Sequence, residues 1–238
     1  MKPWLTNRRR SSAYNVRWFA MVIIAVVVWQ VMFQPISASA RTGTTSSDAP
    51  ARVLVLGDSV FHSFHHIASA RKKMLAQQST IFATQTCQRL VSPGCRPSAR
   101  LSSLDILRKH AGLVTDVVIV GTGYNDRIGP DFKDAVIMIT DEARAQGIDV
   151  LWVTYREVRQ VRGKAEVMNE QLARFDRKID NLHVADWNAY SAEAQGWFRP
   201  DRLHLIGRGA DKLAELLNAS LTPILASRAA AASAPTTP

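Results

Sequence analysis

Residues 52–59 of this chain read RVLVLGDS, a short apolar run that ends in Gly-Asp-Ser. Apart from Arg52, the first five of these residues are aliphatic, a composition typical of a buried strand. The strand runs into Gly57-Asp58-Ser59, just before a segment with helical spacing of apolar residues. A serine at such a strand-to-helix turn is accessible, and its N–H lies near the positive end of a helix, as a nucleophile requires. The tripeptide alone is better explained as a helix N-cap, because Asp and Ser both favour that position.

Beyond this turn, short apolar runs alternate with helical patterns. Strands are predicted at 52–56, 80–86, 116–120, 149–154 and 182–185. Helices are predicted at 63–78, 101–110, 132–146, 166–178 and from 209 to at least 218. Continuous apolar strands separated by helices predict a parallel sheet covered on both faces, so the predicted fold class is α/β, three-layered and doubly wound. In such sheets the functional site lies at the carboxyl ends of the strands.

Two further segments place polar residues where such a site is expected. Residues 121–126, GTGYND, follow the strand at 116–120, and the Asn125 amide can donate a hydrogen bond to developing negative charge. Near the C-terminus, Asp201 stands three residues before His204. On one turn of chain, that Asp can orient the imidazole through Nδ1 and leave Nε2 free as a base. Each segment alone also has a structural explanation, as a Gly/Asn turn and as a surface Asp with a capping His.

Together, these segments resemble a known family. The motifs GDS at 57–59, GYND at 123–126 and DRLH at 201–204 resemble the first, third and fifth sequence blocks of the SGNH/GDSL hydrolases, over residues 52–218. Within that family the chain is similar to extracytoplasmic SGNH domains, including those fused to membrane acyltransferases. The resemblance implies a flavodoxin-like sheet, ester substrates and no cofactor. It also implies that Ser59 is the nucleophile, His204 the base, Asp201 its orienting carboxylate, and Asn125 an oxyanion donor beside the Ser59 N–H.

The chain departs from the family at the second block. The family has a glycine after the second strand, and the N–H of that glycine joins the oxyanion hole. Residues 86–89 here read TCQR, and Gly94 is the nearest glycine. We expect the Cys87 N–H to take this place, because any backbone amide can donate. Asp186 ends the strand at 182–185 and competes with Asp201 as the orienting carboxylate, but Asp201 has the shorter spacing to His204.

The cysteine and histidine content bears on compartment and metal binding. Cys87 and Cys95 are the only cysteines, and such a close pair is expected to form a disulfide in an oxidising compartment, with two free thiols as the alternative. No metal site is expected, because no second cysteine pair and no neighbouring histidine complete a ligand set. His62, His65 and His66 have metal-like spacing, but without a nearby carboxylate or cysteine they are expected to form a solvated or packed helix face.

The N-terminal region has the pattern of a targeting or anchoring segment. A basic stretch at 7–10 precedes an uncharged run at 18–33 and a small-x-small pattern, Ala38-Ser39-Ala40. The alternatives are a cleaved signal peptide and a transmembrane anchor. Both place the remaining chain outside the cytoplasm, because positive charge stays inside.

Charge and composition set the predicted domain organisation. Residues 1–47 carry six basic and no acidic residues, so they account for six of the ten formal positive charges. Nucleic-acid binding is therefore not expected, since no basic stripe interleaved with aromatics remains. The predicted organisation is a signal or membrane anchor at 1–40, a polar linker at 41–50, the hydrolase domain at 51–226 and a disordered low-complexity tail at 227–238.

Three functions fit these observations. The first is an exported serine esterase that hydrolyses small O-acyl esters at the cell envelope, where the substrate is a small molecule, a lipid or an acylated glycan. The second is an O-acyltransferase that transfers the acyl group to a glycan hydroxyl. The third is a catalytically silent glycan-binding module, which only the missing second-block glycine supports. Trp197 and Phe198 line an acyl pocket in one interpretation and pack in the core in the other.

Overall fold

The computed structural model describes residues 50–234, which form a five-stranded parallel sheet between two layers of helices. The strands are β1 (Arg52–Gly57), β2 (Ser79–Thr84), β3 (Val117–Gly121), β4 (Asp149–Val153) and β5 (Leu182–Ala185). They lie in the order β2-β1-β3-β4-β5, and every neighbouring pair is parallel. This is the flavodoxin-like strand order, so the predicted α/β, doubly wound fold class is confirmed.

Within residues 50–234, six α-helices connect or cover the strands. They are α1 (Ala68–Leu75), α2 (Ser103–Lys109), α3 (Pro130–Ala145), α4 (Arg162–Asp176), α5 (Trp187–Tyr190) and α6 (Gly207–Ser233). Two 3₁₀ helices cover Phe61–His65 and Arg159–Val161. In residues 50–234, no helix is both long enough and apolar enough to cross a membrane. The predicted signal or anchor at 1–40 lies outside the described residues, as does nearly all of the linker at 41–50.

The alternation of side chains along the strands divides the core into two layers. Leu54 and Leu56 point to the face covered by α2, α3 and α4, whereas Val53 and Val55 point to the face covered by α1 and α6. Trp152 lies in the first layer, and all five of these side chains are fully buried. Both faces of the sheet are therefore dry, which explains why the strands are continuous apolar runs in the sequence.

The carboxyl ends of the three neighbouring strands β2, β1 and β3 are level with one another. Gly57 pairs with Thr84 on one side and with Gly121 on the other. A Cβ atom at Gly57 would lie 2.2 Å from Phe61, and one at Gly121 would lie 2.1 Å from the same side chain. The Phe61 ring therefore packs directly over the two glycines, and it fixes the 3₁₀ helix at the end of the sheet.

The helix predicted at 63–78 is two elements in the structure. The first is a 3₁₀ helix, in which residues three apart lie on the same side, so Phe61 and Phe64 are both buried. Ile67 then has an extended backbone, with φ −111° and ψ 91°, and its side chain packs against the α1/α6 layer of the core. Tertiary packing of these apolar side chains therefore interrupts the helix.

The final helix is longer than predicted. Residues 227–238 are predicted from their composition to form a disordered tail, but α6 continues through Ser233. Residues 229–232 are four consecutive alanines, and alanine is the strongest helix former, so the helix propagates through this segment.

Candidate active site

Ser59 lies in the turn between β1 and the first 3₁₀ helix, and the buried side chain of Asp58 fixes that turn. The Asp58 carboxylate accepts hydrogen bonds from the Val60 N–H at 3.1 Å, the Gly123 N–H at 3.3 Å and the Tyr124 N–H at 3.2 Å. The first of these bonds closes the serine turn, and the other two bind it to the turn after β3. Asp58 thus joins two strand ends and leaves the half-buried Ser59 accessible.

Ser59, His204 and Asp201 form a continuous hydrogen-bonded relay. His204 Nε2 lies 2.9 Å from Ser59 Oγ, and His204 Nδ1 lies 2.8 Å from Asp201 Oδ2. The remaining oxygen, Asp201 Oδ1, accepts the N–H groups of Leu203 and His204 at 2.8 and 3.0 Å. A neutral imidazole in this geometry donates from Nδ1 to Asp201 and accepts the Ser59 proton at Nε2. The residues singled out in the sequence therefore lie in contact, and their catalytic roles remain predictions.

The Asp201 side chain is a carboxylate throughout the neutral pH range. Burial favours its neutral form, but the hydrogen bonds from the Leu203 N–H and from the His204 side chain and amide outweigh that effect and lower its pKa to about 2. The negative charge of Asp201, next to His204 Nδ1, stabilises the imidazolium that forms when Nε2 accepts a proton.

The loop that carries Asp201 and His204 is held from below by Arg156, which follows β4. The Arg156 guanidinium donates to Ser191 Oγ at 3.0 Å, to the Ser191 carbonyl at 2.9 Å and to the Arg202 carbonyl. It also lies 3.8 Å from the centroid of the Phe198 ring. The loop closes on itself through the Arg199 N–H, which donates to the His204 carbonyl at 2.8 Å. These contacts fix the loop that positions the imidazole.

Asp186, the competing candidate for the orienting carboxylate, has a structural role. Its side chain accepts the Ala189 N–H at 3.0 Å as the N-cap of α5, and it accepts the Thr154 hydroxyl at 3.0 Å. It therefore links the ends of β4 and β5, whereas Asp201 contacts His204.

Asn125, the predicted oxyanion donor, lies in the turn after β3. One of its amide N–H groups donates to the Gln88 carbonyl at 3.1 Å. In the same turn, the Asp126 carboxylate accepts the Leu90 N–H at 3.0 Å. The turns after β2 and β3 are thus tied together, this bond uses one of the two amide hydrogens of Asn125, and its role as an oxyanion donor remains a prediction.

A disulfide joins Cys87 and Cys95, as the close pair predicted. Cys87 has a φ of +64°, a conformation that L-residues rarely adopt and that glycine adopts freely. A Cβ at Gly94 would lie 2.0 Å from the Cys87 carbonyl oxygen, so Gly94 packs against that carbonyl inside the closed loop. The position where the family has glycine therefore keeps a glycine-like backbone, and the role of the Cys87 N–H in the oxyanion hole remains a prediction.

Removing the disulfide is expected to lower the activity of the molecules that remain folded, in addition to destabilising the fold. The bridge spans a sequence separation of eight residues, which contributes about 2–3 kcal/mol to the free energy of unfolding in the chain-entropy model. If the Cys87 N–H is an oxyanion donor, releasing the strained backbone lowers kcat by about a hundredfold. Ester hydrolysis rates and urea unfolding of the Cys87→Ser, Cys95→Ser double variant test this. A loss of activity that only follows the folded fraction would contradict it.

The buried Asp58 gives the protein a specific pH dependence of stability. Burial raises its pKa from 3.8 to about 6, although the N–H groups of Val60, Tyr124 and Gly123 oppose this rise. Between these two pH values the folded state binds more protons than the unfolded state, so stability falls as pH rises, by about 3 kcal/mol for a shift of this size.

The Asp58→Asn variant should lack the pH-dependent change in stability that comes from Asp58. Asp126, whose pKa burial also raises to about 6, has the same effect in both proteins, so it cancels in the comparison. Urea unfolding of wild type and variant at pH 4 and pH 7 measures the difference. Wild type should lose more stability than the variant between the two pH values, and equal losses would show that folding does not raise the pKa of Asp58.

The histidines at 62–66 and the aromatic residues Trp197 and Phe198 pack against neighbouring side chains. The rings of His62 and His65 lie 4.9 Å apart, and those of His62 and His66 lie 5.1 Å apart. Within residues 50–234, no group of three His, Cys, Asp or Glu side chains is arranged to hold a metal ion. Trp197 stacks on Trp187, with the ring centroids 5.9 Å apart, and Phe198 packs on Arg156; both are half-buried against the core.

Sequence reasoning missed Arg156 and Lys164. Lys164 donates to the Tyr124 carbonyl at 2.9 Å and also to the Asp126 carbonyl, so it stabilises the turn after β3 from α4. Arg156 was identifiable from its position, because it stands three residues past β4 at the carboxyl end of the sheet. Lys164 gave no such signal, since it lies in an ordinary polar helix.

Comparisons with known proteins identify the fold. No family model matches this sequence. No curated protein matches it either. Solved structures do match. TesA has a TM-score of 0.58 at 16% identity, over 73% of this chain and 99% of the TesA chain.

Two further structures carry informative descriptions. A GDSL-like lipase from Bacteroides thetaiotaomicron VPI-5482 has a TM-score of 0.54 at 13% identity, over 72% of this chain and 88% of the lipase chain. The psychrotrophic esterase EstA from Pseudoalteromonas sp. has a TM-score of 0.54 at 13% identity, over 73% of this chain and 98% of the esterase chain. The protein therefore has the SGNH/GDSL hydrolase fold, as the sequence resemblance implied.

Proposed function

We propose that this protein is a serine esterase that cleaves O-acyl esters through an acyl-enzyme. The observation that carries the proposal is the relay from Ser59 Oγ through His204 to the ionised Asp201. A serine hydroxyl is a weak nucleophile until an adjacent base accepts its proton, and Nε2 lies within hydrogen-bond distance of it. The fold supports the proposal, because the relay lies at the carboxyl ends of the strands.

In the proposed reaction, Ser59 Oγ attacks the ester carbonyl carbon while His204 Nε2 takes its proton. The resulting oxyanion is stabilised by the Ser59 N–H, the second amide hydrogen of Asn125 and the Cys87 N–H. Collapse of the tetrahedral intermediate breaks the bond to the alcohol oxygen, and the imidazolium protonates that oxygen. Water then attacks the acyl-serine with His204 again as base, and the acid leaves.

The proposed substrates are small O-acyl groups on a small molecule, a lipid or a glycan at the cell envelope. No cofactor is needed, because the relay supplies both the nucleophile and the base. Transfer to a glycan hydroxyl is the same reaction with a sugar in place of water in the second step. A catalytically silent binding module does not require the relay that the structure contains.

Hydrolysis of p-nitrophenyl acetate by the full-length chain, purified in mild detergent, tests the proposal. We expect steady release of nitrophenolate, and the Ser59→Ala variant provides the background rate. Repeating the assay with a sugar acceptor and detecting products by mass spectrometry separates hydrolysis from transfer. Failure to cleave a panel of short-chain nitrophenyl esters above the Ser59→Ala rate would refute the esterase proposal.

We also propose that the domain works outside the cytoplasm, anchored or secreted through the N-terminal segment. A disulfide supports this location, because such bonds persist in oxidising compartments. An alkaline phosphatase fused after residue 238 is expected to be active, since that reporter needs export. A cytoplasm-only reporter at the same junction should be inactive, and the reverse pattern would contradict the proposed topology.

A further inference from the structure

A cavity of about 680 Å³ lies beside the loop that carries Asp201 and His204. Its walls come from the segment after β4, from the segment after α5 and from the loop itself. Representative lining residues are Arg156, Val158, Asn188, Gly196, Phe198 and Arg202. Pro200 and Arg202, the two neighbours of Asp201 in the chain, both line the cavity. A molecule in this cavity therefore touches the same loop that positions the imidazole.

The residues that line the cavity carry more positive than negative charge. Four arginines line it, namely Arg156, Arg162, Arg199 and Arg202. Two acidic residues, Glu157 and Glu193, also line the cavity. Glu157 Oε1 accepts a hydrogen bond from Asn169 Nδ2 at 2.9 Å. None of the four arginines forms an ion pair with a carboxylate in the described part of the chain. The other arginines that do form ion pairs, such as Arg174 on Glu170, lie elsewhere on the surface.

Arg156 is the unusual member of this set, because it is only 6% exposed. Buried charges in proteins are normally paired with an opposite charge. The Arg156 guanidinium instead donates three of its five N–H groups to neutral oxygens, two on Ser191 and one on Arg202. It therefore has no carboxylate partner among the described residues, although the centroid of the Phe198 ring lies 3.8 Å away, and an anion in the cavity would supply the missing negative charge.

We propose that this cavity binds an anionic group, a carboxylate or a phosphate monoester, on the ester that the enzyme cleaves. The inference rests on the proposed function and narrows its substrate class. Planar guanidinium groups bind carboxylate and phosphate oxygens through paired hydrogen bonds, which a neutral sugar or alkyl chain does not provide. The substrate is then an O-acylated uronic acid or sugar phosphate, whose anion lies against the loop that carries Asp201 and His204.

Binding can be measured without catalysis in the full-length Ser59→Ala protein. Isothermal titration at low ionic strength uses glucuronate and glucose 6-phosphate as the two anionic probes and glucose as the neutral match. At least one of the two anions should bind, and its affinity should fall as salt is added. Glucose should not bind. The stronger of the two anions identifies whether a carboxylate or a phosphate is preferred. If neither anion binds more tightly than glucose, the inference is wrong.

The arginines to replace are Arg162 and Arg199, because both are exposed and neither supports the His204 loop through its guanidinium. Adding Arg162→Gln and Arg199→Gln should weaken binding of the anion by about tenfold or more, as expected for lost charge-assisted hydrogen bonds. Arg174→Gln is the control for loss of charge, since it removes one positive charge from α4, the helix that begins with Arg162, at a position outside the cavity. Equal weakening by the control would show a general charge effect and would overturn the inference.

Substrate selection is tested in the active protein with acetylated glucuronate or acetylated glucose 6-phosphate against acetylated glucose. The ratio of kcat/KM for the anionic and neutral esters should exceed about ten, and it should fall towards one in the double arginine variant but not in Arg174→Gln. An anion that binds without changing this ratio would overturn the substrate role. If no ester is cleaved at all, the proposed function fails, while the titrations still decide whether the cavity binds anions.

Discussion

Replacing Ser59 with alanine is expected to lower the rate of ester hydrolysis by at least about a thousandfold, the loss usual when a catalytic nucleophile is removed. The Ser59 hydroxyl is the only part of the side chain that contacts His204, at 2.9 Å, so the substitution removes the attacking atom and little else. The Asp58 hydrogen bonds that fix the turn do not involve the Ser59 side chain. The fold should therefore persist, and nitrophenolate release measured beside a thermal melt checks both expectations.

Ser63→Ala is the matched control for this experiment. Ser63 lies four residues further along, in the 3₁₀ helix, and its buried hydroxyl has no hydrogen-bond partner within the described residues. Its replacement removes the same atom from the same region without touching the relay, so activity should stay near that of wild type. If the Ser59→Ala protein retains more than about a tenth of the wild-type rate while folded, Ser59 is not the nucleophile.

The Asp201→Asn substitution should lower kcat by about a hundredfold to ten-thousandfold, because the imidazole then loses its charged partner and is held in the wrong tautomer. An amide can present its NH₂ group to Nδ1, which places the proton on Nε2 and prevents that atom from accepting the Ser59 proton. The low pKa of Asp201, about 2, predicts that wild type keeps this charge at every pH used in such an assay.

Asp186→Asn provides the matched control for the second experiment. Both aspartates precede short turns near the active-site end of the sheet, but Asp186 caps α5, a position where Asn serves as well as Asp. Activity of the Asp186→Asn protein should therefore remain within a few-fold of wild type. If the two substitutions had equal effects on kcat, Asp201 would act through the structure of its loop and not through His204.

The sequence predicted the sheet well because its strands are buried on both faces. The run at 182–185 has the same bounds as β5, and the other strands differ by one or two residues at their ends. Ser59, Asn125 and His204 could be singled out because of their positions. Ser59 and Asn125 each follow a predicted strand, and His204 stands in the final loop. Local sequence pattern and overall fold agree at these positions, so the motifs can be recognised in the amino-acid sequence alone.

The features that sequence reasoning missed depend on contacts between distant residues. The break at Ile67 follows from packing of that side chain against the core layer to which α6, far away in the chain, contributes. The positive φ of Cys87 is a backbone property that the residue type argues against. Arg156 is buried because its partners Ser191 and Arg202 close over it, and neither is near it in sequence. None of these contacts leaves a periodic pattern in the amino-acid sequence.

The separation of the relay along the chain has a consequence for how the protein acquires activity during synthesis. Ser59 and His204 are 145 residues apart, and the loop with His204 directly precedes α6, which covers one face of the sheet. A ribosome therefore synthesises the proposed nucleophile early and the proposed base late, after the strands have been made. Until then the nascent chain carries an ordinary, unreactive serine. The same segment of chain thus completes both the core and the proposed catalytic relay, so an unfinished or truncated molecule cannot hydrolyse esters before it has folded.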